Sequence, residues 1–166
     1  MSGTGTPATV AAKRAKVAYT LHTYDHDPRS GVSYGEEAAA ALGVPADQVF
    51  KTLLATVDGT LSVAVVPVST ALDLKALAAA AGGKKATLAD SKDAERATGY
   101  VVGGISPLGQ KRRLPTYVDE SAAEFATVYV SAGRRGLDIE LAPADLLHLT
   151  AGTYAPVAAR REHGAR

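Results

Sequence analysis

Lys51 is the most conspicuous candidate for chemistry in this chain of 166 residues. It lies in Phe50-Lys-Thr-Leu-Leu-Ala-Thr-Val57, a run apolar on both faces that reads as a central strand. At a period of two, Lys51 shares its side with Leu53, Ala55 and Val57. An ammonium pointing into an apolar layer is costly unless something pairs with it. Alternatively, Lys51 sits at the strand's first position and snorkels to water. A second candidate is Gly99-Tyr-Val-Val-Gly-Gly-Ile-Ser-Pro-Leu-Gly109. Glycines let successive backbone amides approach a ligand, forming an anion cradle or an oxyanion hole. The same stretch could equally be a tight structural loop. Gly104 and Gly109 have the spacing of a P-loop, but Gln110 stands where its lysine belongs and Arg112 where its Ser or Thr belongs. Nucleoside triphosphate binding is rejected on that ground.

Other patterns are weaker. Gly31-Val-Ser33-Tyr-Gly35 matches a nucleophile elbow, yet no strand leads straight into it, and Ser33 with Glu36 forms a capping box instead. His22 and His26, beside Asp25 and Asp27, lack the geometry and further ligands of a metal site, and a structural or solvent role is favoured. No metal and no cofactor are expected. The basic groups Lys13-Arg14-Lys16, Lys84-Lys85, Lys111-Arg112-Arg113 and Arg134-Arg135 fall on four different elements. They read as solvated surface, or as a modest phosphate patch if the fold brings two together.

The elements that must position these residues are legible in outline. Thr6-Pro7 opens a helix to about Lys16. Val17 to Tyr24 alternates, with Tyr24 and His22 on its polar face. Ser33 opens an Ala-rich helix ending at Gly43, and Asp58-Gly59 joins strands 50–57 and 61–68 as a hairpin. Helices follow over 72–81 and 90–98, each ended by a glycine. Strands over 116–119, 127–131 and 137–141, a helix over 143–149 and a frayed tail from Arg160 complete the chain. Interleaved strands and helices with a hairpin predict an α+β domain with a mixed sheet.

Composition narrows the function. The chain is 46% apolar but only 5% aromatic, so its core must rest on Val, Leu, Ile and Ala. A net charge of +1 and a pI near 8.0 predict limited contact with any nucleic acid. There is no Cys, which excludes disulfides, thiolate metal sites and a thiol nucleophile in the enzyme. No apolar run approaches the ~20 residues needed to span a bilayer, and no export pattern opens the chain. One cytoplasmic domain over 1–166 is expected, with neither membrane nor DNA as a partner.

Several segments together resemble the YbaK/EbsC family of editing deacylases. They are 22–28 (His-Thr-Tyr-Asp-His-Asp-Pro), 50–54, 72–75, 98–111, 124–131 and 135–141, in family order, and the long glycine-bearing segment is the most specific. The resemblance is closest to the bacterial Cys-tRNA(Pro)/Cys-tRNA(Cys) deacylases. It implies a curved, barrel-like mixed sheet of about six to seven strands surrounded by helices, with a pocket for the charged end of tRNA. It puts the family's key lysine at Lys51, followed by Thr52, and its Gly-x-x-x-Pro loop at Gly103, Gly104, Ile105, Ser106 and Pro107. The pocket tyrosine falls at Tyr24 and the aspartate at Asp138. The loop after Pro28 and both ends of the chain depart from the pattern. The implied reaction is cleavage of an aminoacyl ester on mischarged tRNA, assisted by the substrate's thiol when the amino acid is cysteine. Prolyl-tRNA synthetase is a possible partner. Editing of Ala-tRNA(Pro) and non-catalytic binding of charged tRNA ends are the alternatives.

Overall fold

The computed structural model describes residues 5–25 and 34–160. Ser33, His26 and the tail from 161 onward, all given roles above, lie outside the described residues.

The first helix, α1 (Pro7–Ala15), begins where the sequence says it should. Thr6 accepts a hydrogen bond from the Thr9 amide, Thr9 reciprocates to the Thr6 amide, and Pro7 supplies the first turn. β1 (Tyr19–Thr23) and α2 (Tyr34–Leu42) follow, then a 3-10 turn over Ala46–Gln48. β2 (Phe50–Val57) and β3 (Thr60–Pro67) pair from Phe50↔Pro67 to Val57↔Thr60. Asp58 (φ 48°) and Gly59 (φ 87°) make the two-residue turn, both left-handed as a type I′ hairpin requires. The Asp58 carboxylate accepts the Lys84 and Lys85 amides, which holds its pKa below the usual range.

β4 (Thr70–Leu72), α3 (Leu74–Ala80) and β5 (Ala86–Leu88) lead to α4 (Ser91–Thr98). Asp90 caps α4 at its start, and Gly99 closes it at φ 84°. The chain then runs without regular structure to β6 (Thr116–Asp119). β7 (Val128–Arg134), β8 (Leu137–Leu141), α5 (Pro143–Thr150), β9 (Thr153–Ala155) and β10 (Ala158–Arg160) complete the described chain.

The strands form three sheets among the described residues, in the orders β5-β2-β3-β6-β9, β1-β8-β7 and β10-β4. The β3–β6 and β6–β9 pairs are parallel and the others antiparallel, so the expected mixed character holds. The count of six to seven strands in one sheet is corrected to ten in three. β4, β5, β9 and β10 have three residues each, too few for an alternating pattern to declare itself. No closed barrel forms among the described residues. A single bridge, Val49↔Tyr129, links the start of β2 to β7.

That incomplete closure makes room for a site. β5 pairs with β2 only at residues 55–57, with one further bond from the Ala89 amide to the Leu54 carbonyl. The first half of β2 therefore borders a gap. The main core lies on one side of the large sheet, where Leu54, Val63 and Val65 meet Val130, Leu137 and Ile139. On the other side, Ala55, Val57 and Val66 pack with Leu77 of α3. A third cluster joins Ala38 and Ala39 of α2 to Val49, Val68 and Tyr129, with Tyr24 at its edge.

Asp119 shows what a buried carboxylate does when its role is structural. It is 6% exposed and accepts the amides of Ser121, Val157 and Ala158, tying β6 to the chain before β10. Asp119→Ala strands those donors and should cost about 1–3 kcal/mol in urea denaturation. Loss of activity without loss of stability would contradict this role.

Candidate active site

The gap beside β2 is the wall of a cavity of about 410 Å³. It is lined by residues 49–54 of β2 and its lead-in, by Tyr24 after β1, and by Gly35 and Ala38 of α2. Leu88, Ala89, Ser91 and Ala94 contribute from β5 and α4, and Val102, Gly103 and Ile105 from the glycine-rich segment. Val68, Ser131 of β7 and Asp138 of β8 complete it.

Lys51 and Gly103 thus line one hollow, together with Tyr24, Thr52, Ile105 and Asp138. Lys51 lies at the start of β2 on the strand face expected for it. Its Nζ donates to the Thr70 carbonyl of β4 at 2.8 Å, which fixes the ammonium at the cavity wall. The buried Thr52 hydroxyl oxygen has no hydrogen-bond partner among the described residues.

Asp138 contrasts with Asp119. It is 4% exposed and lines the cavity, and no hydrogen bond to its carboxyl forms among the described residues. Burial without compensation pushes it up to about 7. Tyr24, pushed up to about 12 by burial and secondarily by the Asp138 charge, is a neutral hydroxyl beside it. Cross-strand pairing explains the grouping. His22 and Ser131 are the register partners of Asp138 on β1 and β7, so all three lie in one row of the small sheet.

In the glycine-rich segment the residues divide. Gly103 (φ 97°) and Ile105 line the cavity, and their amides form no hydrogen bond among the described residues. The Gly104 amide donates to the Val101 carbonyl at 2.9 Å, and its carbonyl accepts from the Ser131 hydroxyl at 3.2 Å. A Cβ on Gly104 would stand 2.6 Å from Arg134 Cα, so this residue is a spacer against β7 and does not line the cavity. Ser106 is fully buried and accepts the Leu108 amide, while Pro107 lines a separate hollow of about 150 Å³ with Arg112 and Arg113. Two more bonds stiffen the loop, Tyr100 hydroxyl to the Leu108 carbonyl and Gln110 Nε2 to the Ser106 carbonyl.

Ser131, Leu88, Ser91 and Val102 also line the cavity and were not singled out from sequence. Ser131 sits one strand across from Asp138, a relation that exists only once β7 and β8 are in register. His22 is engaged elsewhere. Its Nε2 lies 2.9 Å from Glu140, whose carboxylate is held below its usual range by the Thr127 hydroxyl first and by His22 second. Among the described residues no group of three His, Cys, Asp or Glu could hold a metal ion.

Chemically, the cavity offers a fixed cation, unbonded amides and a carboxyl poised near neutrality. None of its described Ser or Thr hydroxyls is hydrogen-bonded to a histidine that could activate it. Groups of this kind can polarise a carbonyl and hold a polar substrate.

Known proteins resemble this chain in sequence and in fold. A family profile described as an aminoacyl-tRNA editing domain matches residues 30–149. EbsC of Enterococcus faecalis, designated a candidate Cys-tRNA(Pro)/Cys-tRNA(Cys) deacylase, is 46% identical over 123 residues, covering 74% of this chain and 75% of EbsC. Proline–tRNA ligase of Shouchella clausii is 33% identical over 102 residues, which cover 61% of this chain but 18% of the ligase. A crystal structure described as a candidate trans-editing enzyme for prolyl-tRNA synthetase shares the fold. Its TM-score is 0.81 at 23% identity, over 96% of this chain and 99% of that one.

Proposed function

The chain belongs to the aminoacyl-tRNA editing domain family, and from that premise we propose that it removes cysteine from mischarged tRNA(Pro). The observation that carries this reading is the convergence of Lys51, Gly103 and Asp138 on one cavity. Cysteine and proline are similar in bulk, and one small group is worth only ~1–3 kcal/mol of discrimination, so charging errors need a second hydrolytic sieve.

The roles follow from the chemistry of the groups. The Gly103 and Ile105 amides and the Lys51 ammonium face the ester carbonyl and stabilise the charge that develops on its oxygen. Ionised Asp138 takes the α-ammonium of the amino acid, and the neutral Tyr24 hydroxyl and Thr52 bond the ribose end. In cysteine the substrate's thiol sulfur bonds to the carbonyl carbon, the ester C–O bond breaks, and the thiol proton ends on the departing ribose oxygen. Proximity makes that step feasible without a protein base. With other amino acids water attacks, and the acid and the ribose hydroxyl are the products.

The match to a segment within a proline–tRNA ligase favours tRNA(Pro) as the carrier. It also favours action beside that synthetase. The direct test is purified protein with Cys-, Ala- and Pro-tRNA(Pro). Cysteine should leave at least tenfold faster than alanine, with proline spared. Faster release of alanine would overturn the cysteine preference, and tight binding without release would make the protein a carrier of charged ends.

The raised pKa of Asp138 sets a pH dependence. Only the ionised form attracts an ammonium, so kcat/KM should climb as pH rises through about 7, and Asp138→Asn should flatten the climb. The sign for stability is opposite. The native carboxyl keeps a proton that the unfolded chain gives up near pH ~4, so wild type loses stability relative to Asp138→Asn between roughly pH 4 and 7. Parallel pH profiles for the two proteins would remove Asp138 from the binding step.

A further inference from the structure

Four large apolar side chains are exposed among the described residues, and three of them are gathered at one place. Leu88 is 60% exposed and Val102 43%, and both line the cavity, so they stand at its mouth. Val101, next in the chain, is 72% exposed. The arrangement is held in place. The Glu95 carboxylate accepts the Val102 amide at 2.8 Å, the Val101 carbonyl accepts the Gly104 amide, and the Ala89 amide ties the end of β5 to β2. A fold that clamps its backbone so as to leave Leu88 and Val102 exposed at the opening of a hollow, with exposed Val101 adjoining Val102 in the chain, is displaying a contact surface.

We propose that this rim is the seat of the terminal base of the tRNA, held by its flat face between Leu88 and the Val101-Val102 pair. The proposal rests on the deacylase reading and deepens it. The scissile ester joins the amino acid directly to the terminal ribose. With the aminoacyl carbonyl beside Lys51 and Gly103, the nucleoside has to leave the cavity at its mouth, where the rim stands. The three side chains carry no charge and no hydrogen-bonding group, which suits neither a phosphate nor the edge of a base. They suit the π-face of one, as apolar side chains do where enzymes hold an unstacked base. Recognition by the face alone also does not depend on base identity, so any purine should serve.

The test compares two esters of cysteine, Cys-tRNA(Pro) and cysteine methyl ester, which has no nucleoside. Leu88→Ser with Val101→Ser should lower kcat/KM on the charged tRNA by about tenfold, chiefly through KM, and lower the ratio of tRNA to methyl ester cleavage by the same factor. Val101→Phe should raise that ratio, a gain that a folding defect cannot produce. Equal losses on both esters would mean that the rim only shapes the cavity and would overturn the proposal. So would a defect that appears only when prolyl-tRNA synthetase is added, which would mark the rim as a protein contact. If the wild-type protein released no amino acid from any tRNA, the deacylase reading would fall. The rim would then be judged by adenosine alone: saturable shifts of the Leu88 and Val101 methyl resonances support it, and their absence overturns it.

Discussion

Lys51→Ala should lower kcat/KM for deacylation by about 10²–10³-fold while the protein remains folded, the loss found when a single oxyanion-stabilising donor is removed. The side chain stands at the entrance of β2, and its bond to the Thr70 carbonyl anchors the charge at the cavity wall. Removing it leaves a buried carbonyl short of a donor, a cost of about 1–3 kcal/mol, which in a domain of this size lowers Tm by a few degrees. Lys51→Arg keeps the charge but replaces a compact ammonium by a planar fork that does not fit the same wall, so it should restore little. Single-turnover deacylation and a thermal melt on the same preparations separate the two effects. Full activity in a folded Lys51→Ala protein would remove the cation from the mechanism.

Gly104→Ala should be nearly as damaging by a different route. The new Cβ would meet Arg134 Cα at 2.6 Å, and Arg134 C and Arg135 N at 3.0 Å. All three are backbone atoms at the β7–β8 turn, with no side chain free to swing aside. The loop has to back away from β7, which breaks the Ser131–Gly104 bond and displaces the neighbouring Gly103 from the cavity wall. Overpacking of this kind costs about 1–3 kcal/mol, and loss of an amide donor adds about 10²-fold in rate. The expected signature is a fall in kcat with a modest fall in Tm. An unchanged rate would show that the loop amides do not take part.

The part of this that could be read from sequence is the part that local rules control. Asp58-Gly59 announced its hairpin because a type I′ turn needs left-handed residues at both central positions, and Thr6 and Gly99 announced helix ends through their caps. The period-two argument put Lys51 on the correct face of β2 but could not choose between water and a cavity. That choice depends on Thr70 and on how far β5 covers the strand. The glycine-rich segment advertised free amides without saying whose, since the assignment turns on where Arg134 lies. Ser131 and the apolar rim gave no signal, because a serine in a strand or a valine in a loop becomes informative only when its neighbours are known.

The small sheet has one more consequence. β1 near the start of the chain is hydrogen-bonded to β8, with His22 opposite Asp138, so the row holding that carboxyl is closed by segments synthesised far apart in time. A growing polypeptide on the ribosome has no pocket until β8 has emerged from the exit tunnel. Fragments cut short before that point carry the lysine and the glycine loop but lack the Asp138 wall of the cavity.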